Sequence, residues 1–143
     1  MSEEKHEITS ELLNEAIKFH GHLGPFLVLG LKAGLYANGV LGKDCFRTRV
    51  FVETKLSPPY SCLIDGIQVA TGCTMGKRNI EVRDGNLISI KFTRDDRVLE
   101  MRLKEEVLEY LKDMRTEEDA RRKALEIMRK PVNELFDFNA TGL

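Results

Sequence analysis

Apolar and polar positions in the first forty residues follow the helical repeat. A capping pair, Thr9-Ser10, precedes apolar residues spaced three and four apart, so we predict a helix that ends at His20. Proline suits the first turn of a helix and Asn-Gly is a common stop, so a second helix is predicted from Pro25 to Asn38-Gly39. This helix, PFLVLGLKAGLYA, is apolar on nearly every side and is expected to be largely buried. The segment FHGHLG is thus predicted to join two helices.

The middle of the chain switches to the two-residue alternation of β-strands. Residues 47–53 (RTRVFVE) and residues 97–103 alternate in this way and are predicted strands. The segment YSCLIDGIQVA, which follows Ser57-Pro58-Pro59, is predicted to form a helix ending near Thr71-Gly72. After it, NIEVRDGNLISIKF is predicted to be a hairpin that turns at Asp84-Gly85, so that three consecutive strands form a meander.

From Lys104 onward the chain is charged and helical again. The segments KEEVLEYLKDM and TEEDARRKALEIMRK are predicted helices, with Thr116 as a cap for the second and Pro131 as its end. Their charges are expected to form a solvated face. No repeat, linker or low-complexity tract interrupts the sequence, so residues 1–143 are expected to form a single domain.

Composition narrows the functions that such a domain can have. Of the 143 residues, 42% are hydrophobic, which is enough for one domain with a sizeable core. The 22 Lys and Arg residues balance 23 Asp and Glu residues, so the net charge of −1 disfavours binding to nucleic acid or to an anionic membrane. The start MSEEKHEITS lacks a signal-peptide pattern, and no apolar run reaches the ~20 residues of a membrane span, so we expect a cytoplasmic protein. In a reducing compartment its three cysteines are expected to be free thiols or metal ligands.

Candidate chemistry lies at three places in the sequence. His20 and His22 occupy the glycine-containing joint between the first two helices. Cys62 and Asp65 share one face of the third predicted helix, and Cys73 follows the end of that helix. Imidazole and thiolate together suit a borderline-soft ion such as zinc, and an incomplete set of protein ligands leaves one position for water or substrate. We predict that His20 or His22 reaches the same pocket as Cys62 and Cys73, with Asp65 either a ligand or a residue that orients one.

Each of these residues also has an ordinary interpretation. Cys62 and Cys73 lie about 16 Å apart along a continuous helix at ~1.5 Å per residue, so they can share an ion only if the chain folds back between them. A buried cysteine is often a small hydrophobic residue, and this is the role expected of Cys45. The two histidines could instead satisfy helix-end carbonyl groups. GCTMGK is not predicted to bind phosphate as a P-loop, because its glycines are too close together and Arg78 stands where Ser or Thr should hold magnesium.

Two blocks of the sequence together resemble a known family. FHGHLGPFLVLG and SPPYSCLIDGIQVATGCTMGKRNI are similar to the E-subunit family of formylmethanofuran dehydrogenase, whose pattern is close to FHGH-x-C-P-G followed by C-x-x-D-x-x-Q-x-x-x-G-C-T-x-G-K-x-N. The second block matches at nine positions: Cys62, Asp65, Gln68, Gly72, Cys73, Thr74, Gly76, Lys77 and Asn79. The resemblance extends over most of the chain. It implies an α+β fold, in which helices pack on a mixed, mostly antiparallel four-stranded sheet and the C-terminal region is helical.

The resemblance also implies a metal site formed by the histidine and cysteine residues of the motif, here His20, His22, Cys62 and Cys73. This sequence departs from the pattern at Gly24, where the family usually has cysteine, and at Phe26, where it has glycine. A positive φ angle would be one reason for glycine at position 24. Some family members carry a C-terminal zinc ribbon with paired cysteines, which this sequence lacks, so we expect the core domain alone.

Three functions remain open on this basis. The first, implied by the resemblance, is a zinc-binding accessory protein or subunit of molybdenum- or tungsten-dependent formylmethanofuran dehydrogenase, with the redox centre in partner subunits. The second is a freestanding zinc enzyme acting on a small anion, which Lys77 would orient. The third is a structural dimerisation domain with a decayed metal site. A homodimer is expected because the apolar second helix needs cover on several sides.

Overall fold

The computed structural model describes residues 7–143, so most of the acidic start of the chain, on which the cytoplasmic expectation partly rests, lies outside it. Helices pack on one face of a five-stranded sheet, which confirms the predicted α+β class with one strand more than expected. Along the chain the elements are α1 (Ser10–His20), α2 (Pro25–Leu41), β1 (Thr48–Thr54), α3 (Cys62–Thr71), β2 (Ile80–Asp84), β3 (Ser89–Arg94), β4 (Arg97–Leu103), α4 (Glu105–Lys112), α5 (Glu117–Arg129), α6 (Val132–Leu135) and β5 (Phe136–Thr141).

The first two helices largely follow the predicted signals. The Thr9 hydroxyl accepts a hydrogen bond from the backbone of Leu12 at 3.1 Å, and Gly21, with φ 110°, ends α1 in the left-handed region. The predicted end of α2 at Asn38-Gly39 is wrong, because the helix continues to Leu41. The Asn38 side chain donates to the backbone oxygen of Ala70 on α3 instead of ending its own helix, and the extra turn buries Leu41 in the core.

The strand order is β2-β1-β3-β4-β5, and this order overturns part of the predicted meander. β1 lies between β2 and β3, pairing parallel with β2 and antiparallel with β3, so there is no hairpin at Asp84-Gly85. A parallel pair needs a long crossover, and α3 supplies it between β1 and β2. After β2 the Gly85 N–H donates to the backbone oxygen of Thr54, so the chain crosses the end of β1. The β3–β4 hairpin is confirmed.

The fifth strand, β5, was not predicted. It pairs antiparallel with β4 at the edge of the sheet. Its sequence FDFNAT does alternate, with Phe136 in the core and Asp137 exposed. The alternation covers only six residues and directly follows a charged helical stretch, so the signal is easily read as the tail of that stretch.

The backbones of α2 and α3 approach each other closely. A Cβ atom built on Gly30 of α2 would lie 2.1 Å from the backbone oxygen of Leu63, and one built on Gly66 of α3 would lie 2.2 Å from that of Leu27. Only glycine at both positions permits this separation. The contact brings the start of α3 next to the joint between α1 and α2, where the two histidines lie.

The apolar helix α2 finds its cover within the same chain. It packs against α3, α5 and the sheet, and Lys32 is its one charged residue, with the ammonium donating to the backbone oxygen of Met128 at 3.0 Å. The apolar surface of α2, from which a homodimer was expected, is therefore already covered within the chain. A homodimer is neither shown nor contradicted. Over residues 7–143, no helix has both the length and the apolar character needed to cross a membrane.

Candidate metal centre

The candidate centre forms where the joint between α1 and α2 meets the start of α3. His20 is the last residue of α1, and the left-handed turn at Gly21 brings His22 back beside it, so that the two ring centroids lie 4.8 Å apart. Cys62 is the first residue of α3. Donor atoms of His20, His22 and Cys62 all lie within 4.8 Å of one another. Three of the four predicted metal ligands are thus brought together.

Asp65 orients His20. Its Oδ2 atom lies 2.6 Å from Nδ1 of His20, so with the carboxylate ionised the hydrogen bond places a proton on Nδ1 and leaves the lone pair on Nε2. The His20 side chain is only 9% exposed, and Nε2 has no hydrogen-bond partner within the described part of the chain. A carboxylate that holds one ring nitrogen, while the other nitrogen is free to bind the ion, is the usual arrangement around a metal-ligating histidine. Of the two roles predicted for Asp65, this geometry supports orientation.

Cys62 is a thiol that needs a cation to ionise. Burial raises the pKa of the Cys62 thiol above its usual value, and the nearby Asp65 carboxylate raises this pKa further. Without a cation the group therefore stays protonated at neutral pH, and metal binding would release the proton. One thiolate and two imidazoles form a donor set for a borderline-soft divalent ion, and the unpartnered Nε2 of His20 fits such an ion.

Gly24 lies beside this donor group but has no strained backbone. Its φ and ψ angles, −145° and 164°, are extended and open to any residue, so the suggested need for a positive φ is wrong. A Cβ atom at position 24 would lie 3.4 Å from Cε1 of His22, which is ordinary contact. The residue is the N-cap of α2 and offers no side chain to that helix end.

Cys73 is not brought to the donor group. It is fully buried just beyond the C-terminal end of α3, where its thiol donates to the backbone oxygen of Thr48 at 3.4 Å. Burial raises the pKa of this thiol, so it too stays protonated at neutral pH. The chain does fold back after Gly72, but toward β1 and away from Cys62, so the two cysteines stay at opposite ends of α3.

Lys77 also lies at the far end of α3. Its ammonium donates to the backbone oxygen of Gly72 at 2.8 Å and sits 5.6 Å from the ring centroid of Phe46. This contact stabilises a helix C-terminus, where a positive charge is favourable. The position of Lys77 gives no support to its predicted role in orienting a bound anion.

Gln68 connects the donor group to the loop that follows α3, a role that was not predicted from the sequence. Its amide nitrogen lies 3.4 Å from Oδ1 of Asp65, and its amide oxygen accepts a hydrogen bond from the backbone of Met75 at 3.1 Å. The loop is closed by Asn79, whose side chain accepts from the backbone of Thr74. The spacing Asp65-x-x-Gln68, which puts both side chains on one helix face, was the available signal.

Comparison with known proteins places most of the chain in one protein family. Residues 19–137 match the family described as FmdE, molybdenum formylmethanofuran dehydrogenase operon. A curated protein of Archaeoglobus fulgidus, named probable S-adenosyl-L-methionine-binding protein, is 38% identical over 73 residues, which are 50% of this chain and 20% of that protein. This chain therefore spans about a fifth of the relative's length, and the relative's name describes a much larger protein.

Proposed function

Because this chain belongs to the FmdE family of the molybdenum formylmethanofuran dehydrogenase operon, we propose that it is a zinc-binding domain that serves this enzyme, either as an accessory protein or as one of its subunits. The observation that carries the proposal is the group formed by His20, His22 and Cys62, in which Nε2 of His20 is buried without a partner. The redox chemistry of the molybdenum or tungsten enzyme is assigned to other subunits. The three cysteines of this chain are fewer than the four thiolates that hold a usual iron–sulfur cluster.

Zinc is proposed because its preferences match the donor chemistry. It takes imidazole nitrogen and thiolate sulfur together, and a carboxylate behind a ligating histidine is common around it. In this chain Asp65 would hold His20 in the binding tautomer, while Cys62 would contribute the one negative ligand. Bound zinc would supply Lewis-acid chemistry at its remaining position.

Metal analysis of purified variants tests the proposal. We expect close to one zinc per wild-type chain, and little zinc in Cys62→Ser or His20→Ala. Cys73→Ser is the matched control, because it also removes a buried thiol but one that lies outside the donor group. Thermal unfolding of each variant would confirm that it is folded. Equal zinc content in all four proteins would contradict the proposed ligands, and loss in Cys73→Ser would restore Cys73 to the ligand set.

A freestanding zinc enzyme is the second candidate, and the number of donors favours it. Three protein ligands and an open fourth position are typical of catalytic zinc, whereas structural zinc sites are usually closed by four protein ligands. Turnover of a small substrate by the isolated zinc-loaded chain would support this candidate. Copurification with a molybdenum enzyme, together with an inactive isolated chain, would support the accessory role.

The third candidate, a dimerisation domain with a decayed site, has its own signature. Such a protein would be free of metal after purification, equally stable with and without added zinc, and dimeric in sedimentation. A zinc-loaded chain would exclude it. A homodimer in the cytoplasm stays a proposal for each candidate, and a sedimentation experiment that finds a ~16 kDa monomer at micromolar concentration would refute the dimer.

A further inference from the structure

A chain of hydrogen bonds runs from the donor group to the loop of residues 73–79. Oδ2 of Asp65 lies 2.6 Å from Nδ1 of His20, and Oδ1 of Asp65 lies 3.4 Å from the amide nitrogen of Gln68. The amide oxygen of Gln68 in turn accepts from the backbone N–H of Met75 at 3.1 Å. The chain therefore connects a loop residue that is 62% exposed, Met75, to a histidine whose side chain is only 9% exposed.

The direction of each bond in this chain is fixed by the groups on either side of Gln68. A backbone N–H can only donate, so the end of the Gln68 amide that faces Met75 must be its oxygen. An ionised carboxylate can only accept, so the end that faces Asp65 must be the nitrogen. Both neighbours require the same orientation, and a flipped amide would lose both hydrogen bonds. The Asp65 carboxylate then accepts from Nδ1–H of His20, which leaves the lone pair of this ring on Nε2.

The loop holds the Met75 N–H in place through contacts that do not involve the histidines. Asn79, which is only 4% exposed, accepts from the backbone of Thr74 at 2.9 Å and donates to the backbone oxygen of Cys45 at 2.6 Å. The backbone N–H of Arg78 closes the same turn on the backbone oxygen of Thr74 at 3.0 Å. The position of the Met75 donor is thus set by the loop and not by the metal site.

We propose that Gln68 is a positioning residue through which this loop regulates the metal affinity of His20. The inference rests on the proposed zinc site. Withdrawal of the Met75 N–H releases the Gln68 amide, so that Asp65 loses a donor and holds the His20 ring less firmly. Because the Asp65 side chain is 35% exposed, water can replace part of the lost hydrogen bond. The effect of Gln68 is therefore expected to be smaller than that of Asp65 itself.

Zinc affinity in chelator competition tests this role on variants shown to be folded by thermal unfolding. Gln68→Met keeps a side chain of similar length without either hydrogen bond, and it is expected to weaken zinc binding about three- to tenfold, below the about 10- to 100-fold of a residue that contacts the ligand directly. In an Asp65→Ala background the same substitution is expected to cause no further loss, because Gln68 acts through Asp65. Val69→Ala is the matched control, since Val69 is the next residue of α3, is also partly buried, and packs in an apolar cluster apart from this chain of bonds. Its zinc affinity is expected to equal that of wild type.

Two substitutions of Met75 test the contribution of the loop. Met75→Pro removes the backbone N–H, whereas Met75→Ala removes the exposed side chain and keeps the N–H. Only Met75→Pro is therefore expected to weaken zinc binding, to about the same extent as Gln68→Met.

Four results would overturn the inference while leaving the zinc site in place. Three concern Gln68: unchanged affinity in Gln68→Met, an equal loss in Val69→Ala, or losses that add when Gln68→Met is combined with Asp65→Ala. The fourth is unchanged affinity in Met75→Pro, which would show that the loop does not act on the site. A wild type that binds no zinc would refute the metal site itself, and the role of Gln68 with it. The failure of each proposal is therefore recognised separately.

Discussion

The close contact between α2 and α3 predicts that a single methyl group at Gly30 is strongly destabilising. In Gly30→Ala the new Cβ atom would lie 2.1 Å from the backbone oxygen of Leu63 and 3.0 Å from Cα of Gly66. Non-bonded heavy atoms settle at about 3.5 Å, so the helices must separate by roughly 1 Å. The neighbouring atoms belong to backbone, which cannot rotate away as a side chain can.

The net change in the stability of Gly30→Ala is the cost of the backbone clash minus the gain in helix propensity. Overpacking a core costs about 1–3 kcal/mol, and a backbone clash belongs at the upper end of that range. Alanine in a helix interior regains about 1 kcal/mol relative to glycine. We therefore expect the free energy of unfolding to fall by about 2 kcal/mol, which at an m-value of about 2 kcal/mol/M in urea lowers the unfolding midpoint by about 1 M.

Gly34→Ala is the control, because it lies in the same helix and gains the same helix propensity. Its new Cβ atom would lie 2.7 Å from the Cβ of Ala70, a smaller overlap than the 2.1 Å contact at Gly30, so we expect a smaller loss. Zinc affinity should also fall in Gly30→Ala, since α3 carries Cys62 and Asp65. A urea midpoint for Gly30→Ala at or above that of wild type would refute the reasoning, because helix propensity would then outweigh the contact.

Three further predictions concern individual charged residues. Asp65→Ala should weaken zinc binding about 10- to 100-fold in chelator competition, because His20 loses the carboxylate that holds its ring; unchanged affinity would mean that Asp65 does not orient the ligand. The buried ammonium of Lys123 donates to the backbone oxygens of Tyr110 and Asp113 at the end of α4. Lys123→Met should therefore lower the free energy of unfolding, measured in urea, by about 3 kcal/mol. A loss under about 0.5 kcal/mol would contradict this. Burial lowers the pKa of Lys32, against an opposing effect of Glu7, so the unfolded state binds this proton more strongly than the folded state and stability should rise with pH. As the pH rises toward the ordinary lysine pKa of about 10.4, wild type should therefore gain stability relative to Lys32→Met, and parallel pH profiles would count against the assignment.

The sequence by itself determined the local elements and most of the site chemistry. Capping residues, proline positions and the spacing of apolar residues are local signals that extend over only a few residues of sequence. For this reason the predicted bounds of α1, β1 and β4 lie close to the observed ones. His20, His22 and Cys62 were named as candidate donors from their residue types and from the resemblance to the family motif, although each also had an ordinary interpretation. Their grouping is confirmed as a possible metal site.

Tertiary structure alone decided which elements and side chains are neighbours. An Asp-Gly turn signal looks the same whether the next strand pairs with the last one or crosses to the other side of β1, because strand pairing depends on the crossover through α3. Helix rise already separated Cys62 from Cys73 in the sequence, but only the structure shows that the chain after Gly72 turns toward β1 and keeps Cys73 away from Cys62. Asp65 faces His20 because Gly30 and Gly66 let two helix backbones touch, a contact between residues distant in sequence that no local pattern records.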